Sequence, residues 1–207
     1  TVAWLPLIYG RSGLDETHGF GSQADVLIDT RRAADVLGAT PMDRPEDVEV
    51  SPTTGKVYVM LTKNTARGEG EEDAANPRGP NPHGHIVELT PPTSDSKAEH
   101  GAMRFRWEIL LRGGDPTDAA YDASYHPDTI REGAVLYCDI GAFDPAGRLW
   151  IATVQGRGQV ASGFPDGLRA CPVEGEERAR TRLFYRTPLG AELCGPCFTP
   201  DGATLFV

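Results

Sequence analysis

FDPAGRLWIATV, Phe143 to Val154, reads as an apolar residue, a polar residue with Pro, a turn closed by Gly, and then an apolar strand. Pro presets φ early in such a turn and Gly supplies the positive φ near its end, so the phrase encodes strand, tight turn, strand. The same phrase occurs as VSPTTGKVYVML (Val50 to Leu61) and as FTPDGATLFV (Phe198 to Val207). The last two copies stand about one blade-length plus an insertion apart, and the first two roughly two blade-lengths, at about 40–50 residues per propeller blade. The reading is all-β: residues 1–207 form a partial β-propeller of several blades of antiparallel strands, with long loops and one short helix. An antiparallel sandwich uses the same turn chemistry and is the alternative architecture.

The one helix is expected where Asp29 or Thr30 caps Arg31 through Leu37, with Gly38 as terminator. Asn64 to Pro82, crowded with Gly, Pro, Asn and acids, is expected as a long loop. Thr90 to Ala102 and Gln155 to Arg182 are also polar or Gly-rich, the latter with a short strand around Gly167 to Pro172. The sequence stops at Val207, inside the third hairpin's second strand, which would leave unpaired backbone donors. The expectation is a domain truncated at both ends, or completed by another chain.

A formal net charge of −10 argues against tracking a nucleic-acid backbone, which needs a dense Lys/Arg face. Acidity suits hard cations instead. No apolar run approaches the roughly 18 residues of a membrane span, and TVAWLPLIYG has neither the length nor the basic flank of a signal peptide. Four cysteines, Cys138, Cys171, Cys194 and Cys197, are too unevenly placed for a disulfide scaffold.

GATPMDRPEDVEVSP, Gly38 to Pro52, is the densest functional phrase. In an extended segment Arg44 and Glu46 would project from one face, so a guanidinium could take a phosphate oxygen beside a carboxylate that binds a metal. A loop salt bridge is the plainer reading of the same spacing. Four other phrases imitate sites. Cys194-Gly-Pro-Cys197 copies a redox CxxC, but a Thr-Pro-Asp-Gly turn follows where a helix is needed. His83-Gly-His85 sets two imidazoles on one face of an extended segment without a third ligand, which favours a structural role at the loop-to-strand junction. Gly156-Arg-Gly158 and Gly19-Phe-Gly21 suggest dinucleotide loops; at the first no helix is expected to begin, and the second lacks a preceding strand.

The phrase GATPMDRPE, with DTRRAADVLGAT before it and NPRGPNPHGHIVEL, DIGAFDPAGRLWIAT and GAELCGPCFTPDGATLFV after it, resembles the PhoX-type alkaline phosphatases. The resemblance spans nearly the whole chain, with its motifs in order. It implies a propeller with calcium and iron at its centre, hydrolysis of small phosphate monoesters, and a periplasmic or extracellular location. It further implies that Arg44 contacts the substrate phosphate and that Glu46, Asp139 and Glu192 stand at metal-ligand positions, the remaining ligands lying in an N-terminal half outside this chain. On that basis the isolated chain is expected to be inactive. Ile140 replaces the family's Asn after Asp139, Val154 stands where an acid is usual, and Cys194 replaces a Thr. These departures motivate a second reading, a non-catalytic propeller relative acting as a binding or scaffold module. The DPxGRLW-type hairpin motivates a third, a calcium-dependent lactonase-like propeller hydrolase.

Overall fold

The computed structural model describes residues 1–207, beginning with β1 (Val2–Ala3) and two short helices, α1 (Gln23–Ile28) and α2 (Thr30–Val36). A first blade then follows, made of β2 (Pro45–Val50), β3 (Val57–Leu61), β4 (His85–Thr90) and, beyond a small hairpin of β5 (Thr93–Ser94) and β6 (Lys97–Ala98), β7 (Arg104–Arg112). Its order is β1-β7-β4-β3-β2, antiparallel throughout. A second blade contains β8 (Cys138–Phe143), β9 (Arg148–Thr153), β10 (Gly167–Pro172) and β11 (Arg182–Arg186), in the order β11-β10-β9-β8. Between β9 and β10 lies a one-turn helix, α3 (Gln159–Ser162), and the chain closes on a hairpin of β12 (Cys197–Phe198) with β13 (Leu205–Phe206).

All three Pro–Gly phrases are hairpins, each turn closed by a glycine of positive φ: Gly55 at 69°, Gly147 at 84° and Gly202 at 67°. The first strands of these hairpins, β2, β8 and β12, lie side by side, as the inner strands of neighbouring propeller blades do. The first two copies of the phrase therefore belong to consecutive blades. Their apparent two-blade spacing comes from insertions, the loop between β3 and β4 and the connection from β7 to β8.

The core sits between the blades. Tyr58, Met60, Ile86 and Leu111 from the first pack against Cys138, Leu149, Ile151 and Cys171 from the second and Val135 from the connection between them, all nearly or wholly buried. Burial of each large apolar side chain contributes about 1.5–3 kcal/mol. β1 covers the outer edge of β7, with Trp4 set edge-on to Phe105 at 5.6 Å.

The expectation of one helix needs correction. α2 matches it, but α1 precedes it, capped by Ser22 accepting the Asp25 N–H at 3.2 Å, and α3 follows β9. α1 buries only Val26 while Leu27 and Ile28 are exposed, so it carries no apolar stripe to read. A helical turn does form after Gly156-Arg-Gly158, against the expectation there. The N–H groups just ahead of it are already taken, since Gln155 N and Gly156 N each donate to Asp166 Oδ2 at 2.7 Å. The antiparallel sheet removes the dinucleotide reading independently.

Candidate functional site

β2 and β8 open in the same way. Arg44 (φ 52°) and Tyr137 (φ 59°), the residues just ahead of them, are both left-handed, a conformation rare outside glycine. Each is held through its carbonyl by the residue following the partner strand: Thr62 N donates to Arg44 O and Val154 N to Tyr137 O, both at 3.1 Å. Immediately afterwards each strand bulges, between Pro45 and Asp47 in β2 and between Cys138 and Gly141 in β8. Bulges re-aim side chains at the rims of sheets. The side chains re-aimed here are Glu46 and Asp139.

Arg44 and Glu46 do come together, Nε to Oε1 at 2.6 Å, with the side chains 56% and 31% exposed. The reason differs from the sequence argument, because Arg44 is left-handed and Glu46 is the bulged residue, so no simple extended i, i+2 pair exists. Asp139 accepts from Thr62 Oγ1 at 3.3 Å. Partial burial, and next the negative charge of Glu46, raise its carboxyl above the ordinary range; Thr62 and Arg44 pull it back, and Glu192 adds a smaller push. Glu192 lies across Gly156, where an added Cβ would stand 2.8 Å from Glu192 Oε1. Arg44, Glu46, Asp139 and Glu192 thus share one electrostatic neighbourhood at one end of the inner strands.

Two cavities elsewhere, of about 320 Å³ around Gln159, Phe164 and Arg186 and about 290 Å³ around Lys56, Glu88 and Trp107, include none of the four residues. No three His, Cys, Asp or Glu side chains are gathered closely enough to hold a metal ion among themselves. The three acids offer hard oxygen donors, and a calcium ion takes six to eight of these, so they could supply only part of such a shell. Nothing in this set selects iron.

The imitations resolve into structural roles. His85 is wholly buried, with Nδ1 2.9 Å from Asn81 Nδ2 and Nε2 2.7 Å from the Ala75 carbonyl. His83 stacks on Tyr121 at 4.8 Å, and burial, aided by Arg78, lowers its pKa to about 4. Only His85 lies in β4, and Gly84 between the two has φ 77°, so the imidazoles do not share a strand face. Cys194 and Cys197 are free and exposed. Burial and then the charges of Asp139, Glu192 and Asp166 raise the Cys194 thiol, opposite to the activation that a redox CxxC needs.

Sequence reasoning missed the supports. Asp43 is fully buried and accepts from Asn64 Nδ2 at 3.0 Å, Arg67 Nε at 2.8 Å and Asn81 Nδ2 at 3.0 Å, so the long loop between β3 and β4 is tied to the residue before Arg44. Asp47 Oδ2 accepts from Gly141 N at 2.7 Å. The available signal was the charge string Asp43-Arg44-Pro45-Glu46-Asp47 itself.

A family model described as alkaline phosphatase PhoX matches residues 1–207. Among solved structures, the chain is similar to one described as Pseudomonas fluorescens PhoX in complex with vanadate, a transition state analogue, at 34% identity and a TM-score of 0.82. The match covers 98% of this chain and 35% of that one, so this chain spans about a third of its length. No curated protein matches.

Proposed function

Because this chain belongs to the PhoX alkaline phosphatase family, we propose that it contributes one side of a phosphomonoesterase site, with Arg44 as the phosphate-binding residue and Glu46, Asp139 and Glu192 as metal-binding carboxylates. The observation that carries the reading is the gathering of Arg44, Glu46 and Asp139 at the bulged ends of β2 and β8, with Glu192, from the loop ahead of β12, near enough for its charge to raise the Asp139 carboxyl. The vanadate in the similar structure supports a phosphate ester as the ligand class.

Glu46 approaches Arg44 most closely at Nε, and neither terminal guanidinium nitrogen donates a hydrogen bond to a protein group. A planar fork of that kind suits two phosphate oxygens and fixes their orientation. Holding the ester in one pose also replaces the entropy loss that would otherwise accompany reaction. The acids repel one another, and a hard cation would relieve that repulsion. Calcium, when bound, would polarise the phosphoryl oxygens and neutralise developing charge. Iron would have to rely on ligands outside this chain. A periplasmic or extracellular location goes with this reading.

The test is hydrolysis of a chromogenic phosphomonoester by the full-length protein, with calcium and with chelator. Arg44→Ala and Glu46→Gln should each cost about 10²–10³-fold in kcat/KM, the scale seen when one preorganised charge-stabilising group is lost. Undiminished activity in both variants removes these residues from the mechanism, and indifference to chelator removes the metals. A wild-type protein without activity would favour the non-catalytic alternative. One observation leans that way: Thr62 donates to Asp139, whereas its counterpart Val154 has no hydroxyl to offer.

A further inference from the structure

We infer that Asp47 is a positioning residue, fixing Glu46 and Arg44 on one blade against Asp139 on the next. This rests on the phosphatase reading given above. Both Asp47 carboxylate oxygens are committed to backbone donors, Oδ1 to Val48 N at 2.8 Å and Oδ2 to Gly141 N at 2.7 Å. It is therefore not a spare acid of the cleft, although it follows Glu46 directly.

The two ends of the contact between blades are informative. Asp47 is the residue at which β2 recovers its register after the Glu46 bulge, and Gly141 is the residue at which β8 recovers after Asp139 and Ile140. One hydrogen bond joins the points where both distortions end. Gly141 itself has little freedom, since an added Cβ would meet Met60 Cε at 2.9 Å and Leu149 Cδ1 at 3.2 Å. With β8 held there by packing, the carboxylate of Asp47 sets how far Glu46 stands from Asp139. A charge-assisted bond at this length is among the stronger ones available. On the other side of the working pair, Asp43 is fixed by Asn64, Arg67 and Asn81. Arg44 and Glu46 are thus the two charged residues of Asp43–Asp47 whose side chains have no hydrogen bond or ion pair outside the segment.

The experiment uses the full-length protein and the variants Asp47→Ala and Asp47→Asn, each also in an Arg44→Ala background. Asp47→Ala should lower kcat/KM about 10- to 100-fold, the range for residues that orient direct ligands, and should accelerate hydrogen exchange at the Gly141 amide. Asp47→Asn, whose single oxygen can still accept the Gly141 N–H at the cost of the Val48 bond, should lose clearly less than the alanine variant. The alanine effect should shrink when Arg44 is already absent, because a residue acting through the working pair is not additive with it. Should Asp47→Ala fail to fold, Asp47→Ser keeps a polar atom without the reach. Equal losses in both backgrounds, an asparagine variant as poor as alanine, or unchanged activity with lost Gly141 protection would each overturn the inference while leaving the phosphatase reading intact. A wild-type protein that neither hydrolyses the ester nor binds inorganic phosphate would remove both.

Discussion

Arg44 carries two burdens, a left-handed backbone and a half-exposed cation. For an L-residue that backbone costs about 1–2 kcal/mol, and such strain persists only where neighbours over-determine it. Here the neighbours are Thr62, which holds the Arg44 carbonyl, and Asp43 with its three donors. Arg44→Gly should accordingly unfold in urea about 1–2 kcal/mol later than Arg44→Ala, although both lack the guanidinium. Equal stability would mean that the position is unstrained. The sequence offered Arg44 and Glu46 as a pair and was right about their meeting, yet it could not show the left-handed turn. That conformation is imposed by a loop beginning about twenty residues later, and a spacing rule sees only neighbours.

Hairpins are the elements most legible in the sequence, because Pro and Gly act locally. The Gly147 turn adds a contact that no local rule reveals: a Cβ there would lie 2.6 Å from Thr53 Oγ1, in the corresponding turn of the first blade. Gly147→Ala should therefore destabilise the protein by about 1–2 kcal/mol from backbone strain alone, plus a share from the collision. Combining it with Thr53→Ala should recover the second share only. If the double variant is no better than Gly147→Ala, the turns do not touch. Bulges, by contrast, were invisible, since a bulge is a mismatch between two strands and neither strand carries it alone. The same limit hid α1, whose exposed Leu27 and Ile28 give no amphipathic period, and it hid the true blade count between the first two hairpins.

Across the whole molecule, the two blades share a buried carboxylate. Glu88 of β4, whose side chain is 1% exposed, meets Lys56 at 2.8 Å and Tyr58 Oη at 3.0 Å within its own blade, and Arg178 of the second blade at 3.1 Å. Arg178 also reaches Glu108 at 2.7 Å, and Lys56 reaches across to Glu174 at 2.5 Å. Arg178→Met should cost about 2 kcal/mol, the range for a hydrogen bond to a charged group, and should blur the cooperativity of urea unfolding. Arg148→Met, which breaks the 2.7 Å pair with Asp144 inside one blade, is the comparison and should leave cooperativity unchanged. Identical behaviour of the two variants would show that Glu88 does not couple the blades. None of this was readable beforehand, since the partners come from three separate stretches of chain.

The matched openings of β2 and β8 have a practical consequence. Each left-handed residue is gripped through its carbonyl, by an amide that any non-proline side chain would leave in place. The geometry is thus written in peptide groups, while the reagent is written in side chains. At β2 and β8, mutation can exchange what such a socket presents without rebuilding the backbone beneath it.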